Sequence, residues 1–287
     1  MTSAEQASPP RKKKSSLLWR VVFVVALVVL IGALAALGVL AYSYLQGQQV
    51  YNKIEEIAGI DEGASLESFD IDWDALRAIN SDIVAWVYIP GTNINYPVVK
   101  GTDNSYYLSH DFEGTQGAFV YRGTVFLDYE NSADYSDDVN FMYGHHLNDG
   151  TMFSAISTFD DQATFDEHRT VYLLTPTMNY KLRSFSLAHV AGTDPIVENN
   201  FSSPTKLASY IQDKMDRSVV SVTDNPAATS IQQAFAFSTC DNYSSGRFIL
   251  FCYAEEQVPA GAAASATFAT GDDVDAANEA IAEKTQE

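Results

Sequence analysis

A stretch of 22 residues without a charge, residues 21–42, constrains this chain more than any other feature. At about 1.5 Å per residue, a helix of that length matches the roughly 30 Å hydrocarbon core of a bilayer. The stretch follows a cluster of basic residues: Arg11, Lys12, Lys13, Lys14 and Arg20. Because basic residues favour the cytoplasmic side, we expect the N-terminus in the cytoplasm and the remainder outside the cell. A cleaved signal peptide is the alternative, but its apolar core usually has only about 7–15 residues.

The apolar stretch separates parts of different composition. We expect a cytoplasmic basic tail over residues 1–20, a transmembrane anchor over 21–42, a stalk over 43–64 and one folded domain over 65–258. Residues 259–287 are rich in alanine and acidic side chains and poor in large apolar ones. This composition predicts a disordered or weakly helical tail.

The part of the chain beyond the anchor is strongly acidic. After residue 50 it carries 12 basic against 36 acidic residues, a balance of −24 in a chain of net charge −20. Because nucleic-acid phosphates are repelled by such a field, we expect no nucleic-acid partner. We interpret most of the charge as solvated surface, with attraction of a cationic amine substrate as a second interpretation.

Short runs of β-branched and aromatic residues, broken by turn residues, dominate the outer domain. They predict a mostly β fold, either a barrel or a sandwich. Strands are predicted in DIVAWVYIPGTNINYPVVKG, GAFVYRGTVFLD, VNFMYGHH, TVYLLTP, NYKLRSFSLAHV, QAFAFSTC and RFILFCYAE. We also predict an N-terminal helix in LESFDIDWDALRAIN, capped by Ser65, a short helix in TMFSAISTF, and a late inserted helix in SPTKLASYIQDKM, begun by Ser203 and Pro204.

The chain has two cysteines, Cys240 and Cys252, and strand geometry argues against a disulfide between them. If residues 247–253 form a strand, Arg247 and Cys252 lie on opposite faces. Cys252 is also about 16 Å further along the strand than Arg247, whereas bridged Cα atoms lie within about 7 Å of each other. We therefore predict that Cys252 is a small buried hydrophobe and that Cys240 is a free thiol at a strand end.

A free thiol beside a loop is either inert or a nucleophile. A nucleophilic cysteine needs a partner that generates or stabilises the thiolate, and this is usually histidine. The chain has five histidines: His110, His145, His146, His168 and His189. The two in YGHH follow a predicted strand end, and spacing alone does not choose between them. Arg247 is a candidate for stabilising an oxyanion, because its planar fork is always charged; a surface salt bridge is the alternative.

Three separated motifs resemble the sortase family. FSTCDNYSSGR resembles the family signature of Thr-X-Thr-Cys, a loop and an arginine, and NFMYGHHLNDGTMF resembles the histidine segment. The run INSDIVAWVYIPGTNINYPVV, then DNSYYLSHDF and GTVFLD, resembles class B sortases in particular, as does the helix inserted before the cysteine strand. The resemblance covers about residues 66–255. Phe237 stands where the family has its first threonine, and the loop between Cys240 and Arg247 is short.

The resemblance implies a closed eight-stranded sortase-type β-barrel behind a single transmembrane helix. It also implies a cell-surface cysteine transpeptidase that needs no metal or organic cofactor. Cys240 would be the nucleophile, His145 the acid/base and Arg247 the cation that stabilises the oxyanion, while His146 would pack nearby. Five further residues match substrate-binding positions of the family: Asn104, Leu108, Tyr210, Ile211 and Ser238.

The expected partners follow from the same resemblance. The substrate would be a secreted protein with a C-terminal sorting signal of the LPXTG or NPQTN kind, and the acceptor an amine of a peptidoglycan precursor. A pilin polymerase with a pilin lysine as acceptor, a surface cysteine hydrolase and an anchored adhesin remain as alternatives.

One acidic run, DYENSADYSDD, invites comparison with calcium-binding loops. It lacks the glycine-centred spacing of an EF-hand. We therefore expect a solvated loop there.

Overall fold

The computed structural model describes residues 16–61, 63–116, 123–240 and 246–261, with the backbone alone for residues 16–18 and Cys240. The chain divides into two compact units, residues 1–46 and 47–287. The predicted tail beyond residue 261 lies outside the described residues, as do residues 117–122 of one predicted strand segment.

A single helix, α1 (Ser16–Ala58), contains the apolar stretch. Within the described part of the chain it is the one helix long and apolar enough to cross a membrane, judged by length and composition. It ends where Gly59 adopts a φ of +57° and donates its N–H to the Glu55 carbonyl at 3.0 Å. Residues 43–58, which the sequence analysis assigns to a stalk, continue this helix. They contain no proline that would break it.

Eight strands form a closed barrel in the order β1-β2-β3-β4-β7-β8-β6-β5. The strands are β1 (Ile83–Tyr88), β2 (Asn95–Val99), β3 (Val125–Leu127), β4 (Val139–Tyr143), β5 (Thr170–Leu174), β6 (Met178–Ala191), β7 (Ala234–Cys240) and β8 (Gly246–Pro259). The pairs β2–β3 and β4–β7 are parallel, and the others are antiparallel. The predicted eight-stranded barrel is confirmed.

The alternation of side chains on β7 and β8 is confirmed as well. The interior side chains of this pair include Phe235, Phe237, Phe248, Leu250 and Cys252. The outward face carries Ala236, Ile249 and Phe251, which pack in a second cluster outside the barrel. Cys252 is free and fully buried, and burial raises the pKa of its thiol. Its register partner is Phe235, five steps from the pair formed by Cys240 and Arg247.

The inserted helix α4 (Pro204–Asp216) covers that outer cluster. As predicted, it begins at Ser203, whose hydroxyl accepts the Lys206 N–H at 3.4 Å, with Pro204 in the first turn. The side chains of Leu207 and Ile211 are buried against the outward face of the sheet.

The N-terminal helix is shorter than predicted. Residues Leu66–Ser68 form a single 3₁₀ turn, and α2 spans only Trp73–Ile79. Asp72 caps α2 by accepting the Ala75 N–H at 2.9 Å, so the prediction of Ser65 as the cap was wrong. The backbone between the two segments is extended at Phe69, which is buried together with Ile71. Burial of these side chains outweighs the helical spacing seen in the sequence.

The predicted short helix after β4 is a 3₁₀ segment, Ser154–Asp160. A further helix that the sequence did not reveal, α3 (Gln162–Glu167), follows it. Asp161 caps α3 by accepting the Thr164 N–H at 3.0 Å.

Candidate active site

A pocket of about 370 Å³ lies where the carboxyl ends of β4 and β7 meet the start of β8. It is lined by Asn104, Leu108, Phe126, Tyr143, Gly144, His145, Ser238, Thr239 and Arg247. Five of the eight site residues predicted from the sequence are in this lining. The parallel pairing of β4 with β7 brings the two strand ends together, although the chain between them includes β5, β6 and α4.

Cys240 and Arg247 are direct register partners across the antiparallel pair β7–β8. In such pairs the Cα atoms lie about 4.5–5.5 Å apart. Cys240 is the last residue of β7, and Arg247 is half-buried beside the start of β8. The loop between them, residues 241–245, lies outside the described residues.

His145 follows the end of β4 and is held on two sides. Its Nε2 lies 2.6 Å from the Leu108 carbonyl oxygen, which can only accept, so Nε2 carries a proton. On another side lies Gly123, with a φ of +60°. A Cβ at that glycine would lie 2.8 Å from Cδ2 of His145 and 2.7 Å from the Tyr107 carbonyl oxygen. The imidazole therefore occupies space that only a glycine leaves open.

Gly144 explains the turn in YGHH. A Cβ there would lie 2.6 Å from Cγ of Phe153, a fully buried side chain of the barrel interior. The Gly144 N–H donates to the Ser238 carbonyl at 3.0 Å, which ties the histidine turn to β7 next to the cysteine. His146 lies elsewhere: it lines a separate cavity of about 560 Å³ together with His168. Of the two histidines, His145 shares a pocket with Arg247.

A buried carboxylate lies behind the pocket wall. Asp128 is 3% exposed, and its Oδ2 accepts from Nδ2 of Asn104 at 2.9 Å and from the hydroxyl of Tyr143 at 2.8 Å. Its Oδ1 accepts the Glu130 N–H at 2.9 Å. Burial, and then the negative charge of Asp128, raises the pKa of Tyr143.

Sequence reasoning missed Asp128 and Tyr143. Both lie inside segments that resemble the sortase family, GTVFLD and NFMYGHH. The available signal was their position, since each ends a strand or directly follows one. Nothing in the sequence links Asp128 to Asn104, 24 residues earlier.

The acidic run after β3 is not a solvated loop throughout, so that prediction was wrong for four of its residues. Asp128, Asn131, Tyr135 and Asp137 are all less than a tenth exposed. Asp137 accepts from Asn131, Ser132 and Asn200. Burial alone would raise the pKa of Asp137, but these hydrogen bonds outweigh burial and lower it. The Asp137 carboxylate therefore holds the loop in place through the donors that surround it.

Two predicted substrate-binding residues lie away from the pocket lining. Ile211 lies on the face of α4 that packs against the sheet, and it is fully buried there. The Tyr210 hydroxyl donates to the Ile196 carbonyl at 2.6 Å, and its ring packs edge-on against Phe251, with centroids 6.5 Å apart. The described structure does not bring either side chain to His145 and Arg247, and their substrate role stays a prediction.

Known proteins with similar sequences and folds place the barrel domain in a family. No protein-family model matches the chain. A sortase B of Listeria monocytogenes is 29% identical over 178 residues, which are 61% of this chain and 70% of that protein. A sortase B of Staphylococcus aureus is 26% identical over 203 residues, which are 70% and 81% of the two chains.

Comparison with solved structures also indicates sortase B. The crystal structure of sortase B from Bacillus anthracis in complex with AAEK1 superposes with a TM-score of 0.64 and 29% identity. The match covers 74% of this chain and 98% of that one. The chain is a class B-like sortase. This sortase is a cysteine transpeptidase, and the resemblance read from its sequence is confirmed.

Proposed function

We propose that this sortase cleaves a C-terminal sorting signal of the LPXTG or NPQTN kind and joins the new carboxyl end to an amine of the cell wall. One observation carries the proposal: Cys240 and Arg247 are paired in register at the edge of the pocket that holds His145. A cysteine, a histidine and a fixed cation are the groups that acyl transfer through a thioester requires.

In the first half of the reaction, the Cys240 thiolate attacks the carbonyl carbon of the signal threonine. The carbonyl oxygen becomes an oxyanion, which the Arg247 guanidinium stabilises by charge and hydrogen bonds. As the C–N bond breaks, His145 donates a proton to the departing amine. The product is a thioacyl-enzyme on Cys240 and a free C-terminal fragment.

In the second half, an acceptor amine attacks the thioester carbon and His145 takes the proton from its nitrogen. The C–S bond breaks, an amide forms, and Cys240 returns as thiolate. We propose a peptidoglycan-precursor amine as acceptor, with a pilin lysine as the alternative. The hydrogen bond from His145 to the Leu108 carbonyl, together with the close approach of Gly123, supports this assignment because both restrict the ring.

The pocket lining suggests how the signal is held. Asn104 and Ser238 contribute polar groups, and Leu108, which is 44% exposed, contributes an apolar one. We propose that these three contact the peptide, and that Tyr210 and Ile211 contribute through the placement of α4. The apolar part of α1 supports a membrane anchor. We propose that the N-terminus lies in the cytoplasm and the catalytic domain outside. Anchoring there would raise the effective concentration of secreted substrates around the enzyme.

Product analysis separates the acceptor classes. The full chain in detergent micelles is incubated with LPXTG-like or NPQTN-like peptides, with triglycine, with a diaminopimelate-type amine, with a lysine peptide or with water alone. We expect a new amide product with triglycine or the diaminopimelate-type amine and none with Cys240→Ala. Ligation to the lysine peptide alone would favour pilin assembly. Cleavage by water at a rate that no amine changes would reject the transferase proposal in favour of a hydrolase.

A further inference from the structure

The carboxylate of Asp128 divides its two oxygens between a loop and the pocket. Its Oδ1 accepts the Glu130 N–H at 2.9 Å and so holds the turn after β3. Its Oδ2 accepts two donors from pocket-lining side chains, Asn104 and Tyr143, at 2.9 and 2.8 Å. Asp128 itself is 3% exposed and is not part of the pocket lining.

The orientation of the Asn104 amide is fixed at both ends. Its Nδ2 donates to Asp128, and its Oδ1 accepts the Tyr129 N–H at 3.0 Å. A flipped amide would place Oδ1 against the Asp128 carboxylate and Nδ2 against a backbone donor, and both contacts would be repulsive. One N–H of Nδ2 and one lone pair of Oδ1 remain for other partners.

The ring of Tyr143 is fixed in the same way. Its hydroxyl donates to Asp128, and its ring packs against Phe126 at a centroid distance of 5.3 Å. Asn104, Tyr143 and Phe126 all line the pocket that contains Arg247. A single buried carboxylate therefore determines how one polar and one aromatic wall residue are presented.

We propose that Asp128 is a positioning residue for peptide recognition: it orients Asn104 and Tyr143 so that Asn104 offers one donor and one acceptor to a backbone amide of an extended sorting peptide. This inference rests on the proposed function. It predicts that Asp128 governs the binding of the peptide and not the reactivity of Cys240 or the binding of the acceptor amine.

The chain offers a matched control. Asp137 lies in the same loop, is 7% exposed and binds Asn131, Ser132 and Asn200, none of which lines the pocket. Asp128→Asn keeps an acceptor for Glu130 but sets an NH₂ group against Nδ2 of Asn104. Asp137→Asn weakens the same loop and leaves the pocket wall in place.

The test compares both variants with the parent, as full chains in detergent micelles. Readouts are acylation by the peptide that the parent uses best, the KM for the acceptor amine, and alkylation of Cys240 by iodoacetamide. For Asp128→Asn we expect kcat/KM for the peptide to fall at least about tenfold through KM. Alkylation and the acceptor KM should stay within about twofold. For Asp137→Asn we expect a lower Tm with peptide kcat/KM within about twofold. Side-chain amide NMR should show the Asn104 resonances shifted by Asp128→Asn and unchanged by Asp137→Asn.

Equal losses of peptide kcat/KM in the two variants, or an Asn104 amide signal unaffected by Asp128→Asn, would overturn the inference. So would a parallel loss of alkylation, which would place the effect on the thiol. If the parent chain is not acylated by any sorting peptide, the proposed function fails and this inference fails with it. If the parent is acylated but the variants do not differ as predicted, only the inference about Asp128 fails and the proposed function stands.

Discussion

At the scale of single residues, the site depends on a glycine that carries no functional group. Gly123 combines a φ of +60° with a position where a Cβ would lie 2.8 Å from the His145 ring. Gly114 also has a positive φ, +76°, but the nearest atom to its Cβ would be the Tyr106 hydroxyl at an ordinary 3.6 Å. A comparison of the two glycines therefore separates the effect of a positive φ from the steric contacts that a Cβ at Gly123 would make with His145 and the Tyr107 carbonyl.

We therefore predict different outcomes for the two alanine variants. Gly114→Ala should lose about 1–2 kcal/mol of stability, because alanine is strained at positive φ. Gly123→Ala should lose more, because its Cβ would also lie 2.7 Å from the Tyr107 carbonyl oxygen. Only Gly123→Ala should move His145, and we expect its transfer rate to fall at least tenfold below that of Gly114→Ala, since small misplacements of catalytic groups are costly. Steady-state transfer assays at a temperature where both variants are folded measure this. Equal transfer rates in the two variants would show that Gly123 does not position His145.

We predict that a positive charge at position 247 does not stabilise the oxyanion sufficiently without the planar shape of the guanidinium. Arg247→Lys keeps a positive charge but replaces the planar fork with a point charge. We expect kcat to fall about 10²-fold, in the range seen when one oxyanion donor is removed. Arg77→Lys, on a partly exposed arginine of α2, is the control and should leave kcat unchanged. An unchanged kcat in Arg247→Lys would show that the guanidinium does not bind the oxyanion.

Individual residues also show which parts of the site the sequence can predict and which it cannot. The motif around Cys240 and Arg247 is local, and the strand alternation that it implied is confirmed. Choosing His145 over His146 needed the family resemblance, because the two are adjacent. Asp128 was interpreted as solvated surface, since its partners Asn104 and Tyr143 are 24 and 15 residues away in the chain. Long-range hydrogen bonds to buried carboxylates leave no local pattern.

At the scale of elements, α4 is first a cover for the barrel. Ile211 is fully buried between α4 and the outward face of the sheet, whereas Ser209 on the same helix is exposed. We predict that Ile211→Ala lowers the free energy of unfolding by about 2–5 kcal/mol, because it removes buried methylenes and leaves a cavity. Ser209→Ala should change it by no more than about 0.5 kcal/mol. Denaturant unfolding measures both.

The same variants decide whether Ile211 also has a substrate role. If the residue acts only through packing, the peptide KM of folded Ile211→Ala should equal that of Ser209→Ala. A raised KM in the folded protein would support the role assigned from the sequence. Either result is independent of the stability measurement.

Element boundaries were predicted less well than element types. The helical spacing from Leu66 to Ile79 predicted one continuous helix, but the chain is extended at Phe69 and restarts at Asp72. Apolar side chains at helical intervals also suit a segment that lies across the outside of a barrel. Only the contacts of the folded domain distinguish the two arrangements.

At the scale of the whole molecule, an ion-pair cluster joins the segment after α4 to β6 and the start of β5. Asp224 binds Arg169 at 2.6 Å and Arg183 at 2.9 Å. Hydrogen bonds from Arg169 and then Arg183 lower the pKa of Asp224 to about 2. Because the folded pKa lies below the unfolded value, the stabilisation is fully present above about pH 4 and is lost as the pH falls through about 2.

We predict that Asp224→Asn lowers the free energy of unfolding at pH 7 by no more than about 1 kcal/mol, since the carboxylate is 51% exposed. The difference from the parent should persist to about pH 4 and shrink towards pH 2. Asp74→Asn, which removes a 99% exposed partner of Arg77, is the control and should change little at any pH. Denaturant unfolding across this pH range gives the comparison. A difference that grows on acidification would contradict the assigned direction of the pKa shift.

The overall class of the molecule could be read from the sequence because it depends on repeated, local features. Alternating short strands predicted a β domain, and the length of the apolar stretch predicted a helix able to span a membrane. The closed strand order, with β7 between β4 and β8, could not be derived from periodicity. That order depends on parallel pairing between strands that are far apart in the chain. The family resemblance predicted a closed barrel of eight strands but not their order.

The central claim is that Cys240 forms a thioacyl bond with a sorting peptide in the pocket of His145 and Arg247. Intact-protein mass spectrometry of the full chain, incubated with LPXTG-like and NPQTN-like peptides without an acceptor amine, tests it directly. We predict an added mass on Cys240 equal to the peptide fragment that ends at threonine, less one water, because a thioester forms and the C-terminal fragment leaves as an amine. The adduct should be absent from Cys240→Ala and form much more slowly in Arg247→Lys. An adduct that persists in Cys240→Ala, or no adduct with any peptide while iodoacetamide still alkylates Cys240, would contradict the account.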